Sequence, residues 1–123
     1  MDIRIEYDHP IEVTLHVVCG KWKGVILCCL VDRVLRFGEI RKEIPRITQK
    51  MLTQQLRELE EDNLVKRVIY NEMPPRVEYS LTPYGEKLKP MLETLAHWGD
   101  NHVQMVKKIK EQDKAAPDVE VKE

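Results

Sequence analysis

The chain has 123 residues, of which 42% are hydrophobic and 33% charged, and its net charge is −1. That suits one compact domain with a real core, and near-neutrality by itself argues mildly against nucleic acid. No apolar run approaches the ~20 residues of a membrane span, and MDIRIEYDHP lacks the basic-then-apolar order of a signal peptide, so a cytoplasmic protein without a membrane partner is expected. Three cysteines, two of them adjacent at 28 and 29, do not make a disulfide framework and fit a reducing compartment.

In chain order, residues 1–8 are polar and mixed and read as an arm. Pro10 suits the first turn of a helix. Ile11, Leu15 and Val18 continue it at i, i+4 and i+7, and Gly20 can take the left-handed position after its end. A second helix is expected over Lys21–Asp32. Its centre, VILCCLV, is apolar all round and should be buried on most sides, anchored by Trp22 and Ile26. VLRFGEI is a short extended piece running into a third helix, about Gly38 to Ile44, which Pro45 ends.

Arg46 to Leu64 reads as one helix with two contrasting faces. Leu52, Leu56 and Leu59 form an apolar stripe. Lys50, Thr53, Gln54 and Arg57 occupy the other side, a face with no carboxylate whose side chains donate hydrogen bonds to base edges and phosphates. The acids come afterwards, as Glu58, Glu60, Glu61 and Asp62. Such a helix meets a polyanion with its N-terminal half, as a recognition helix enters the DNA major groove. The plainer alternative is a solvated face that happens to lack acids. Thr48 can cap the start, and Asn63 tolerates the left-handed backbone needed at the stop. Helix, tight turn and helix at this spacing make a helix-turn-helix.

VKRVIY and RVEYSL, joined by NEMPP, alternate as two strands of a β-hairpin wing. Val77, Tyr79 and Leu81 lie on one face, and Arg76 sits at the base, placed to reach a phosphate. Thr82-Pro83 is a good helix start, and the last helix is expected from Pro83 to about Lys110. Leu88, Leu92, Leu95, Gly99, His102, Val106 and Ile109 repeat at spacings of four and three, with Tyr84, Met91, Trp98 and Met105 beside them. This face is longer than a small domain covers alone and reads as a dimer interface. The alternative is that it packs wholly on its own domain. EQDKAAPDVEVKE reads as a polar, disordered tail. The domain division is thus 1–8, 9–110 and 111–123.

Charge distribution outweighs net charge. From Arg33 to Arg57 there are seven basic residues (Arg33, Arg36, Arg41, Lys42, Arg46, Lys50, Arg57) against Glu39 and Glu43, a local balance of +5. A concentrated basic region in a near-neutral chain is the footprint of a DNA face.

These residues resemble a family. Gly20-Lys21-Trp22, Arg36-Phe37-Gly38-Glu39-Ile40, Leu52 to Leu59 with Leu64-Val65-Lys66-Arg67, and above all Met73-Pro74-Pro75-Arg76-Val77-Glu78-Tyr79-Ser80-Leu81-Thr82 followed by Gly85 and later Trp98, match the HxlR-type regulators, a branch of the MarR-like winged helix-turn-helix proteins. The resemblance covers about Asp8 to Val106. It implies a mainly α fold with a small β-hairpin wing (α+β), dimerising through its first and last helices. It also implies a transcription regulator, most often a repressor released by a signal, that binds a pseudo-palindromic operator in the bacterial or archaeal nucleoid. Many members carry a cysteine just before the proline that opens the first helix, and some sense thiol-reactive compounds through it. Here that residue is His9. The family's usual glycine after the recognition helix is Asn63.

For site roles, Thr48, Gln49, Lys50, Thr53 and Gln54 are placed at the DNA-reading end of the helix. Gln pairs with adenine and Lys donates to guanine. Arg36, Arg46, Arg57 and Arg76 are phosphate candidates, although Arg57 can instead pair with Glu61 at i+4. Ile11, Leu15, Leu88, Leu92, Leu95, Trp98, His102 and Val106 are the expected dimer contacts. Cys28 and Cys29, on an apolar helix, are expected to behave as small buried hydrophobes of dulled reactivity, the alternative being a redox role for Cys19, Cys28 or Cys29. His16 and Cys19 share a helical face, but two ligands do not make a metal site. Ser80 is the sole serine, with no Gly-rich phosphate loop and no paired nucleophile and base, so neither an enzyme nor a cofactor is expected. Two other readings stay open. One is a sensor with a small-molecule or metal effector at the dimer seam; the other is an interaction module that keeps the fold without using DNA.

Overall fold

A computed structural model describes residues 6–113. The chain divides into two units, 1–92 and 93–123, described in turn.

The first unit opens with α1 (Pro10–Val18). His9 caps it: its Nδ1 accepts the Ile11 N–H at 3.1 Å, while Glu12 reaches back to the Asp8 N–H at 2.7 Å. Gly20 takes the expected positive φ, +98°. α2 (Lys23–Leu30) is shorter than expected, and its burial is one-sided. Ile26, Leu27 and Leu30 are fully buried, but Val25 and Cys28 face solvent. The run VILCCLV is apolar all round, yet neighbours cover only one face of it. Trp22, half-buried, packs on the core as expected.

β1 (Leu35–Arg36), α3 (Phe37–Glu43) and α4 (Gln49–Glu61) follow. α4 starts later than the pattern suggested. Arg46 and Ile47 belong to the turn, because Thr48 sits at extended angles (φ −79°, ψ 156°) and accepts the Met51 N–H at 3.1 Å. Ile44 and Ile47 are buried beneath that turn, leaving Pro45 and Arg46 outside. Asn63, at φ 60°, ends the helix as expected.

β2 (Val65–Tyr70) and β3 (Arg76–Leu81) form the wing with the expected bounds. The sheet has a third strand, however: β1 pairs on the free edge of β3, with Leu35 opposite Tyr79, so the antiparallel order is β1-β3-β2. Two residues are too few to show a period, so the extended piece gave no sign of its partner.

The expected single last helix is two. α5 (Pro83–Glu86) is separated by a turn from α6 (Lys89–Asp113). Pro90 is the cause. It has no N–H, and its ring crowds the carbonyl four residues earlier, so it fits the first turn of a new helix and not the interior of an old one. Leu52, Leu56 and Leu59 pack with Ile26, Leu27, Leu30, Ile40, Tyr79, Leu81 and Leu92 as one core. Leu92 is therefore corrected: it is 4% exposed and filled by its own unit, and Leu88 packs against the same core.

The second unit, as far as Asp113, is the remainder of α6, which runs past the Lys110 boundary. Leu95, Trp98, Met105 and Ile109 are exposed along it. The Trp98 and His102 rings stack with centroids 5.0 Å apart and planes at 9°. The expected arm and tail lie for the most part outside the described residues.

Candidate nucleic-acid interface

The leucine stripe of α4 is sunk in the core to 0–1% exposure, which turns the opposite face outward. Gln49, Lys50, Thr53, Gln54 and Arg57 line an open groove of about 840 Å³ there, closed at its far end by Glu58 and Glu61. The predicted reading residues are thus brought together. Thr48 stands at the helix start, where its hydroxyl oxygen accepts the Met51 N–H and keeps its own proton. Thr53 has a committed hydroxyl, which donates to the Gln49 carbonyl at 2.9 Å.

The face is not the carboxylate-free one expected, since Glu58 and Glu61 line the groove at the end away from Gln49 and Lys50. Two acids of the helix have partners of their own. Glu58 takes Lys23 at 3.5 Å and accepts from Gln55 at 3.1 Å; Glu60 takes Arg67 at 3.3 Å. Among the described residues, Arg57 forms no ion pair with Glu61, nor do Arg36, Arg46 or Lys50 pair with an acid. Arg33 is the exception in the basic region. It binds Glu43 at 2.6 and 3.0 Å, and this holds the Glu43 carboxyl below the usual range. Arg36 stands at the start of α3, its N–H donating to Glu39 at 2.8 Å and its side chain exposed.

Arg76 is placed differently from expectation. It pairs with Tyr70 at the loop end of the hairpin, not at its base. Its guanidinium lies 4.1 Å over the Tyr70 ring, 3.2 Å from Glu72 and 3.4 Å from Glu78. The residue opens β3, and β3 follows the hairpin turn, so its first position lies beside that turn and away from the base.

The residues that hold α4 against the wing are only half legible in the sequence. Thr82 caps α5 as expected, accepting the Gly85 N–H at 2.8 Å. Its hydroxyl also donates to the Asn63 carbonyl at 2.6 Å, and its N–H to Leu64 at 3.0 Å. Gly85 lies so close that an added Cβ would fall 2.2 Å from the Leu64 carbonyl oxygen. The recognition helix, the first wing strand and α5 are thus clasped at one point. A threonine before a proline signals the cap; nothing local signals the second partner nineteen residues away.

Elsewhere, Cys29 is partly covered. Burial, and then a hydrogen bond to the Glu43 carboxylate, push its thiol up to about 11. Burial also raises Cys28, although its side chain is exposed, contrary to expectation. Among the described residues no three His, Cys, Asp or Glu side chains converge as a metal cage, and no single helix is long and apolar enough to cross a membrane. A second cavity, of about 550 Å³, lies in the first unit between α1, the end of α4 and α5. Val13, Val17, Leu64 and Leu88 line it, with Tyr84 and Lys87 also in its wall.

The sequence matches the model of the HxlR-like helix-turn-helix family over residues 17–107. The HTH-type transcriptional regulator YtcD of Bacillus subtilis is 50% identical over 101 residues, which is 82% of this chain and 80% of that protein. Among solved structures, the redox regulator HypR in its reduced form is 45% identical with a TM-score of 0.77, covering 81% of this chain and 99% of that one. A MarR-family protein from Porphyromonas gingivalis W83 is 39% identical with a TM-score of 0.72, over 78% and 95%. The fold is a winged helix-turn-helix, and the relatives are regulators, not enzymes. The chain belongs to the HxlR-like helix-turn-helix family of transcriptional regulators.

Proposed function

We propose that the protein is a sequence-specific binder of double-stranded DNA that acts as a homodimer, as a repressor, on a pseudo-palindromic operator. The observation that carries this is the face of α4, where Gln49, Lys50, Thr53, Gln54 and Arg57 are gathered in one open groove, with the acids Glu58 and Glu61 confined to its C-terminal end. Lys50, Gln49 and Gln54 address base edges. Arg36, Arg46 and Arg57 address phosphates, with Arg76 joining from the wing. Large apolar side chains left in water support the dimer: Ile11 and Leu15 on α1, Leu95 and Trp98 on α6, the last 66% exposed. Two copies are what an operator with two half-sites a helical turn apart requires.

The test is binding to the duplex upstream of the protein's own gene, beside a scrambled duplex, across a salt series. Tight binding to the first alone, falling steeply with salt, supports the reading. Failure to bind any duplex at low salt favours the interaction module.

The second cavity favours a further element, a small effector. It has the volume of a ligand pocket, its lining is mainly apolar, and it touches Glu61 to Leu64, the end of the recognition helix. Thermal shifts with a panel of amphipathic aromatic compounds test it. A ligand that raises the melting temperature and releases the operator supports release by a signal.

A further inference from the structure

We propose that Thr53 reads thymine, and that it does so through its methyl group and not its hydroxyl. The inference rests on α4 being the DNA-reading helix and adds which base its centre selects.

Thr53 sits in the middle of the groove face, one turn from Gln49 and Lys50 on one side and from Arg57 on the other, with Gln54 beside it. All four of these neighbours are hydrogen-bond donors. Thr53 looks like a fifth in the sequence. In the folded helix its only donor proton is already given to the Gln49 carbonyl at 2.9 Å, the back-bonded arrangement that hydroxyls adopt toward the residue one turn earlier. A hydroxyl so placed has no proton for the acceptors of guanine or for thymine O4 unless it gives up that bond. What remains at Cβ is a methyl group, the one apolar patch on a face of donors. In the major groove the matching feature is the C5-methyl of thymine, the only methyl that the four standard bases present there. The flanking amides and the Lys50 ammonium can satisfy the polar edges next to it. The hydroxyl oxygen can still accept a bond, from cytosine or adenine amino groups, and the serine variant separates that role from the methyl's.

The test uses the full-length protein and the duplex that it selects from a randomised pool. Each thymine of that operator is replaced singly by deoxyuridine, which deletes the C5-methyl and changes no hydrogen-bonding group. Wild-type binding should weaken roughly fourfold at one thymine per half-site, the scale of burying one methyl group, and at the others little. Thr53→Val keeps the methyl group and replaces the hydroxyl by a second methyl, so it should keep the thymine-over-uracil ratio at that site. Thr53→Ser keeps the hydroxyl and loses the methyl, so its ratio there should fall to about one. The swap is made on the DNA, so the wild-type result stands even if a variant fails to fold. A tightly bound operator in which no thymine-to-uracil swap matters overturns the proposal. So does Thr53→Ser retaining the wild-type ratio, or Thr53→Val losing it. A pool from which no duplex is preferred overturns the DNA-reading role of α4 and this inference with it.

Discussion

At the scale of single residues, exposure and prior commitment decide what a side chain can do. Lys50 and Gln54 are exposed on the groove face, so replacing either by Ala should relax specificity by ~1–3 kcal/mol at one base position. Competition binding against operators mutated base by base checks this. A loss equal for all sequences would assign the residue to phosphate. Cys29 makes a different point. Its thiol is held protonated up to about 11 by burial and by Glu43. A raised thiol favours the neutral form in the folded state, so its contribution to stability is whole below the ordinary value of 9.0. It is lost as pH climbs through about 11. Wild type should therefore lose melting temperature between pH 9 and 11 faster than Cys29→Ala. At pH 8 iodoacetamide should label the exposed Cys19 well before Cys29, which mass spectrometry of tryptic peptides reads directly. Equal labelling would mean that the burial of Cys29 and its Glu43 contact do not persist in solution.

At the scale of elements, α4 is positioned by what lies behind it. Leu56, 1% exposed in the centre of the core, should cost ~2–5 kcal/mol when cut to Ala, since the cavity cannot collapse against helices on several sides. The clasp at the other end is polar. Thr82→Val keeps the shape but strands the Asn63 carbonyl and the Gly85 N–H, for a loss of ~1–3 kcal/mol. Gly85→Ala should cost at least as much, because its new methyl meets backbone that has nowhere to go. Urea unfolding of the three variants measures all of this. If Thr82→Val is as stable as wild type, the clasp is not what fixes α4 to the wing.

At the scale of the whole molecule, the question is what covers the apolar surface. Trp98 and Leu95 stand in water on α6, and Ile11 and Leu15 on α1. A pair of copies that buries them should dissociate when Trp98 becomes Glu, since a buried unpaired carboxylate is expensive. Sedimentation should then show the variant as a monomer. Operator affinity should fall at least a hundredfold, because each half-site would be held alone. A Trp98→Glu protein that sediments as wild type does would remove α6 from the interface.

Most of the elements are legible in the amino-acid sequence alone. Helix and strand periods, the Thr48 and Thr82 caps, the Pro45 stop and the left-handed Asn63 are local signals, and each is written within one turn of the residue that it governs. The donor face of α4 is legible for the same reason, since which residues share a helix face follows from 3.6 residues per turn alone. Long-range contacts decide the rest. They set which side of α2 is covered, so Cys28 is exposed although its neighbours are apolar. They join β1 to the edge of β3, spend Leu92 on the unit's own core, and tie Arg76 to Glu72 and Glu78 at the wing's loop. The Thr53 hydroxyl belongs to neither group cleanly: its partner is one turn away, yet only a rotamer chosen in the folded helix shows that its proton is spent. Periodicity says which residues face the same way; it does not say what they face, because partners far apart in the chain are chosen by packing and not by spacing.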